Sequence, residues 1–223
     1  MTKKLDKQEV KAALKRKLAQ TYEPVKPQTQ LGFIHHNVDC IGCRACEIAC
    51  KDKNGLAPGP RFRRVQYIEG GTFPEVYAYK VNMSCNHCAE PACLPTCPTG
   101  AIFKRQKDGI VDIDSTLCIG CRRCEAACPF GAPQYDPEHN IVAKCNMCVD
   151  EMDAGRKPYC VMACMMRVLD VGPIDQIWSG KFKSKAIGPN DQPVKQVKNM
   201  ANTELTKPSI AFIPHSQGKI NEA

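Results

Sequence analysis

Residues 118–129 read Cys118-Ile119-Gly120-Cys121-Arg122-Arg123-Cys124-Glu125-Ala126-Ala127-Cys128-Pro129, a C-x2-C-x2-C-x3-C-P run. Three thiolates this close together can wrap one iron–sulfur cube, while the fourth, about a helical turn further on, points elsewhere. In chains with this run the last cysteine ligates a neighbouring cluster, so the run predicts a second cluster besides its own. Three more runs are present: Cys40, Cys43, Cys46, Cys50; Cys85, Cys88, Cys93, Cys97; and Cys145, Cys148, Cys160, Cys164. All four keep the opening C-x2-C and the closing C-x3-C, and only the middle spacing stretches. The cassette is an internal repeat.

Sixteen cysteines also invite a disulfide scaffold. Tight runs with two residues between members are too crowded for eight unstrained bridges, and no secretory h-region precedes them. Zinc is the other alternative, but a tetrahedral site takes two C-x2-C pairs from separated segments, and here a third and fourth cysteine follow at once. A single tryptophan and few aromatics argue against a large apolar core, which metal–thiolate bonds can replace. The formal charge of +8 counts cysteine as neutral. Sixteen thiolates around four cores of about +2 would add about −8, so the basic residues read as counter-charge and no nucleic-acid partner is expected. No run reaches the ~18 apolar residues of a membrane span, and residues 1–20 lack an export signal.

The fold class expected is α+β: two ferredoxin-like two-cluster modules, nested in sequence, with long loops and an extended C-terminal tail. Residues 1–30 read as a basic helical arm, with Val10, Leu14 and Leu18 on one face, and a proline-containing linker. Residues 31–80 with 136–178 form the outer module, 81–135 the inner one, and 179–223 the tail, expected to be stable only against a partner. Strands are expected at 31–38, 61–68, 76–83 and 141–143, and a hairpin over 104–114 turning at Asp108-Gly109. Residues 131–138 read as a proline-rich loop.

Exchanging fourth ligands between the second and third runs gives Cys85, Cys88, Cys93 with Cys128, and Cys118, Cys121, Cys124 with Cys97. Elimination pairs the outer runs: Cys40, Cys43, Cys46 with Cys164, and Cys145, Cys148, Cys160 with Cys50. Gly42 and Gly120 let the backbone curl toward sulfur, and Pro98 and Pro129 stop the cysteine helices. His87 is expected to hydrogen-bond locally. Arg122 and Arg123 sit beside anionic sulfur or on a solvated surface, and Asp112 and Asp114 are exposed. No nucleophile–base pair or phosphate loop is evident, so no catalytic residue is assigned.

With Ser84-Cys85-Asn86-His87-Cys88, Cys97-Pro98-Thr99-Gly100-Ala101, Cys128-Pro129-Phe130-Gly131-Ala132-Pro133-Gln134-Tyr135 and Lys207-Pro208-Ser209-Ile210, the chain resembles the iron–sulfur subunits of the dimethyl-sulfoxide reductase family. The resemblance covers most of residues 31–213. It implies the nested pairing of runs and four [4Fe-4S] clusters. It also implies a molybdopterin catalytic subunit that holds its own cofactor, and a membrane anchor subunit or cytochrome as donor. Some relatives replace the middle cysteine of the third run with tryptophan and hold three irons; Cys121 predicts four. Lys51 and Met165 depart from the family's proline, and the long N-terminal arm is a further departure. The function implied is electron relay to reduction of a small substrate, dimethyl sulfoxide first, in anaerobic respiration. Alternatives are a related enzyme acting on polysulfide, tetrathionate or arsenate, a free-standing polyferredoxin, and a zinc-stabilised interaction protein. The expected location is the periplasmic or outward membrane face, reached by export with a signal-bearing partner, the alternative being the cytoplasm.

Overall fold

The computed structural model describes residues 26–218; the helix expected at 1–20 lies outside the described residues. In chain order come β1 (Leu31–His36), α1 (Ala45–Lys53), β2 (Arg64–Thr72), β3 (Glu75–Met83), β4 (Ile102–Lys104), β5 (Val111–Ile113), α2 (Arg123–Ala127), β6 (Gln134–Asp136) and β7 (Ile141–Ala143). They are followed by α3 (Val149–Asp153), α4 (Tyr159–Met162), β8 (Leu169–Pro173), α5 (Ile174–Trp178) and β9 (Ile210–Ile213). This is an α+β chain, as expected. Helices of four to nine residues do not persist on propensity alone. Packing and the cysteine loops at their N-terminal ends hold them.

β1 lies between β8, antiparallel, and β9, parallel, with Phe33 opposite both Val171 and Ile210. Side chains alternate across this sheet. Phe33, Val171, Ile210 and Phe212 enter the main core. Ile34, Ala211 and Ile213 enter a smaller one, closed by Ile174 and Ile177 of α5 and by Ala186. The main core also contains Cys46, Cys50, Cys85, Cys145 and Cys160, so thiols fill volume that larger apolar side chains would otherwise take. β2 and β3 form a long hairpin with Arg64 opposite Met83, and β4–β5 turns at Asp108 and Gly109, whose φ is +70°. The Asp108 carboxylate accepts the Ile110 N–H at 3.1 Å and closes that turn.

Two expectations are corrected. Residues 131–138, read as a proline-rich loop, contain β6, paired antiparallel with β7. Three residues are too few to display period-two alternation. The second correction concerns the tail, which through residue 218 is seated on this chain's own sheet. Val194 exchanges backbone hydrogen bonds with Phe212 at 2.8 and 2.9 Å, and Ala186, Val197 and all four residues of β9 are buried. Four consecutive apolar residues buried on both faces leave no periodic signature.

Candidate metal centres

In every cassette the residue before the second cysteine has left-handed backbone: Gly42 (φ +73°), His87 (+42°), Gly120 (+67°) and Met147 (+60°). The chain thereby doubles back and starts a cysteine loop. Glycine adopts this conformation freely, and a Cβ at Gly120 would lie 2.5 Å from the Asn140 carbonyl oxygen. At His87 and Met147 the conformation costs about 1–2 kcal/mol, and both side chains are completely buried, so packing offsets it. Helices α1, α2 and α3 then begin within two residues of Cys43, Cys121 and Cys148, and α1 and α2 carry the third cysteines, Cys46 and Cys124.

All sixteen cysteines are free thiols. Cys85, Cys88, Cys93 and Cys128 line one cavity, with Pro91, Val111, Phe130 and Lys144 in its wall. Cys97, Cys118, Cys121 and Cys124 line a second. Around Cys40 the charged neighbours are Cys46, Cys164 and Cys43, and around Cys50 they are Cys145, Arg63, Cys160 and Cys148. Each group draws three cysteines from one run and the fourth from another. Neighbouring groups lie within electrostatic reach of one another in a fixed order. Cys46 stands near Cys160, Cys145 near Cys85, and Cys124 near Cys93, which makes a single file. Cys43 and Cys121, in the first and last groups, are the two exposed thiols.

Burial pushes the Cys93 and Cys160 thiols up to about 12 and Cys124 to about 11, and neighbouring thiols push the same way. Several thiolates cannot share such spaces without cations among them; soft sulfur ligands suit iron–sulfide cores as well as zinc or copper(I), and the C-x2-C-x2-C-x3-C spacing is the iron–sulfur one. Donors already point at the sulfurs. Backbone N–H groups of Met147, Val142 and Ala132 reach Cys145, Cys118 and Cys128 Sγ at 3.4, 3.4 and 3.5 Å, and Asn82 Nδ2 reaches Cys46 Sγ at 3.2 Å. At Cys97 burial acts upward, but the Thr99 hydroxyl and the N–H groups of Ile102, Thr99 and Ala101 outweigh it and bring the thiol below its ordinary value. Such contacts stabilise anionic sulfur.

Of the two places left open for Arg122 and Arg123, beside sulfur or on a solvated surface, the structure shows the second. Arg122 and Arg123 are exposed, and Arg122 pairs with Glu125 at 2.6 Å and lies over the Tyr135 ring. The cations among the sulfurs are Arg63, Lys144 and Lys104, all buried. Lys104 Nζ donates to the Cys88 and Ala89 carbonyls at 2.9 and 3.0 Å, and burial lowers its ammonium to about 8. Lys144 donates to the carbonyls of Val111 and Cys145, and the charges of Cys85, Asp112 and Cys93 outweigh burial and hold its ammonium up. Asp112 and Asp114 are half-buried, not exposed. His87 keeps its local role: Nδ1 accepts the Val111 N–H at 3.1 Å, which leaves the proton on Nε2, 3.9 Å from Cys145 Sγ. Burial, then Lys144, hold this imidazole well below its ordinary range.

The tail completes the second run. The Ser209 N–H donates to the Asn86 carbonyl at 2.9 Å, the Ala89 N–H to the Lys207 carbonyl at 2.8 Å, and the Ser209 hydroxyl to the His87 carbonyl at 3.1 Å. Lys207-Pro208-Ser209-Ile210 therefore clamps a cysteine loop.

Sixteen thiols in four adjoining groups, bedded among buried cations and backbone donors, define an iron–sulfur electron carrier of the ferredoxin-like class. Residues 76–174 match the 4Fe-4S dicluster domain family. The protein is 40% identical over 199 residues to one chain of the anaerobic dimethyl sulfoxide reductase of Escherichia coli (strain K12), covering 86% of its own length and 92% of that relative's. It is similar as well to the thiosulfate reductase electron transfer subunit PhsB of Salmonella typhi, 38% identical with 68% and 82% of the two proteins covered. One subunit of the sulfite dehydrogenase of Allochromatium vinosum is 40% identical, over 61% of the present sequence and 65% of its own. The chain belongs to the family of dimethyl-sulfoxide-reductase-type iron–sulfur subunits: it is a non-catalytic electron-transfer subunit of an oxidoreductase and carries four [4Fe-4S] clusters. Among the described residues no helix is long and apolar enough to cross a membrane.

Proposed function

We propose that the four clusters form one wire through the chain. Its sets are, in order, Cys40, Cys43, Cys46, Cys164; then Cys145, Cys148, Cys160, Cys50; then Cys85, Cys88, Cys93, Cys128; then Cys118, Cys121, Cys124, Cys97. The reading rests on one observation: the four thiol groups follow one another in order, and the two fully exposed thiols, Cys43 and Cys121, belong to the first and last of them. Interior centres then exchange electrons with their neighbours, and terminal centres with other proteins. The outer module holds the first two clusters and the inner module the last two, with the hairpin β6–β7 joining them.

One end faces a molybdopterin catalytic subunit and the other a quinol-oxidising membrane subunit or cytochrome. The substrate reduced is dimethyl sulfoxide, in anaerobic respiration, at the outward face of the membrane. What supports this is the extent of likeness to the dimethyl sulfoxide reductase relative, which spans nearly that whole protein. The test is to purify the tagged chain anaerobically with what accompanies it, reduce the clusters with dithionite, and add substrates singly. Dimethyl sulfoxide should reoxidise the clusters. Reoxidation by polysulfide, tetrathionate or arsenate alone would overturn the substrate, and a chain recovered without companions would overturn the complex.

A further inference from the structure

Arg63 is 2% exposed, and among the described residues no carboxylate lies within ion-pair distance of it. Its guanidinium donates to Asn82 Oδ1 and Ser84 Oγ, both at 3.0 Å, and lies 4.3 Å over the Phe33 ring, while Nε has no partner. The anionic groups that reach it are thiols: Cys160, Cys145, Cys46 and Cys50. A buried cation held only by neutral dipoles and a ring is strongly disfavoured unless negative charge stands nearby. Here the largest sources of negative charge are sulfurs of two adjoining groups. Asn82 ties the arrangement together, since its Oδ1 fixes Arg63 while its Nδ2 donates to Cys46 Sγ at 3.2 Å.

We propose that Arg63 is the fixed counter-charge of the two clusters at the Cys43 end, and that it raises their reduction potentials above those of the same clusters beside a neutral side chain. One electron added at either group brings one negative charge within reach of the guanidinium, which favours reduction. No bond forms or breaks and no proton moves. Arginine suits this role because it stays charged under burial. The inference rests on the ligand sets proposed above.

The test is a potentiometric titration, followed by electron paramagnetic resonance, of the full-length chain in its complex, comparing the natural protein with Arg63→Gln and Arg63→Lys. Four one-electron centres in the natural protein establish independently that four clusters are loaded, and their absence would overturn the wire and not the role of Arg63. In R63Q two of the four midpoints should fall, each by at least a tenfold change in the reduced-to-oxidised ratio at fixed potential, or 59 mV for one electron. The other two should stay. In R63K, with the charge kept, all four should remain within half that shift. Four unmoved midpoints in a fully iron-loaded R63Q protein would overturn the inference and leave the wire intact. Should R63Q fail to load iron, R63K decides: recovery of iron and of both potentials supports the counter-charge, and loss of iron there too makes Arg63 a structural brace and overturns it.

Discussion

Ending the chain after Gly180 removes β9 and everything that leads to it. Four side chains lost with it, Val197, Ile210, Phe212 and Ile213, are each at most 5% exposed. Burial of such side chains is worth about 1.5–3 kcal/mol apiece, about 6–12 kcal/mol together. Whole domains are stable by about 5–15 kcal/mol. The truncation also removes the Ser209 and Lys207 clamps from the second cysteine run. The shortened chain should therefore lose iron, most directly from the cavity lined by Cys85, Cys88, Cys93 and Cys128, and should not merely release a partner. Because metalloproteins do not unfold in two states, the measurement is iron per polypeptide and the decay of cluster absorbance under anaerobic conditions. Phe212→Ala is the graded version, costing about 3–5 kcal/mol and shortening cluster lifetime without abolishing assembly. A truncated chain with full iron and an unchanged paramagnetic spectrum would refute the account of β9 as part of the core.

Other outcomes follow from single residues. Cys121→Ser should leave one terminal cluster with three irons, seen as a new paramagnetic signal of the oxidised protein while the other centres keep theirs. Gly120→Ala puts a Cβ against the Asn140 carbonyl in left-handed backbone, which adds at least ~1 kcal/mol of strain and should deplete that same cluster first. His35 is buried, hydrogen-bonded to Asn37 at 2.9 Å, and burial holds its imidazole down at about 4. The unfolded chain takes up this proton below its ordinary value near 6.5 and the folded chain only below about 4, so stability falls as pH drops between those values, by about 3 kcal/mol in all. His35→Gln should flatten that acid limb in a plot of cluster lifetime against pH.

The four cysteine runs were legible because their message is local. Spacing within C-x2-C-x2-C-x3-C is set by the chain itself, and the hairpin at Asp108-Gly109 carries its own turn chemistry. What escaped depends on partners far along the chain. Arg63 sits in an ordinary-looking basic stretch, and only the fold, which brings Cys145 and Cys160 as well as Cys46 and Cys50 within electrostatic reach, makes it a buried cation among sulfurs. Lys144 adjoins a ligand and could have drawn notice for that reason, whereas Arg122 and Arg123 drew it by lying inside the strongest motif. The apolar run 210–213 was visible, but nothing local distinguishes a strand that docks on its own sheet from one awaiting another protein.

The left-handed position before the second cysteine divides the cassettes into two kinds. Glycine occupies it at both ends of the file, beside the thiols that meet solvent. A histidine and a methionine, neither with any surface, occupy it in the middle pair. The same backbone bend thus leaves no side chain over the two second cysteines that are exposed, Cys43 and Cys121, and packs a whole buried side chain beside the other two, Cys88 and Cys148. Cover for the second cysteine is set at one position of a repeated loop.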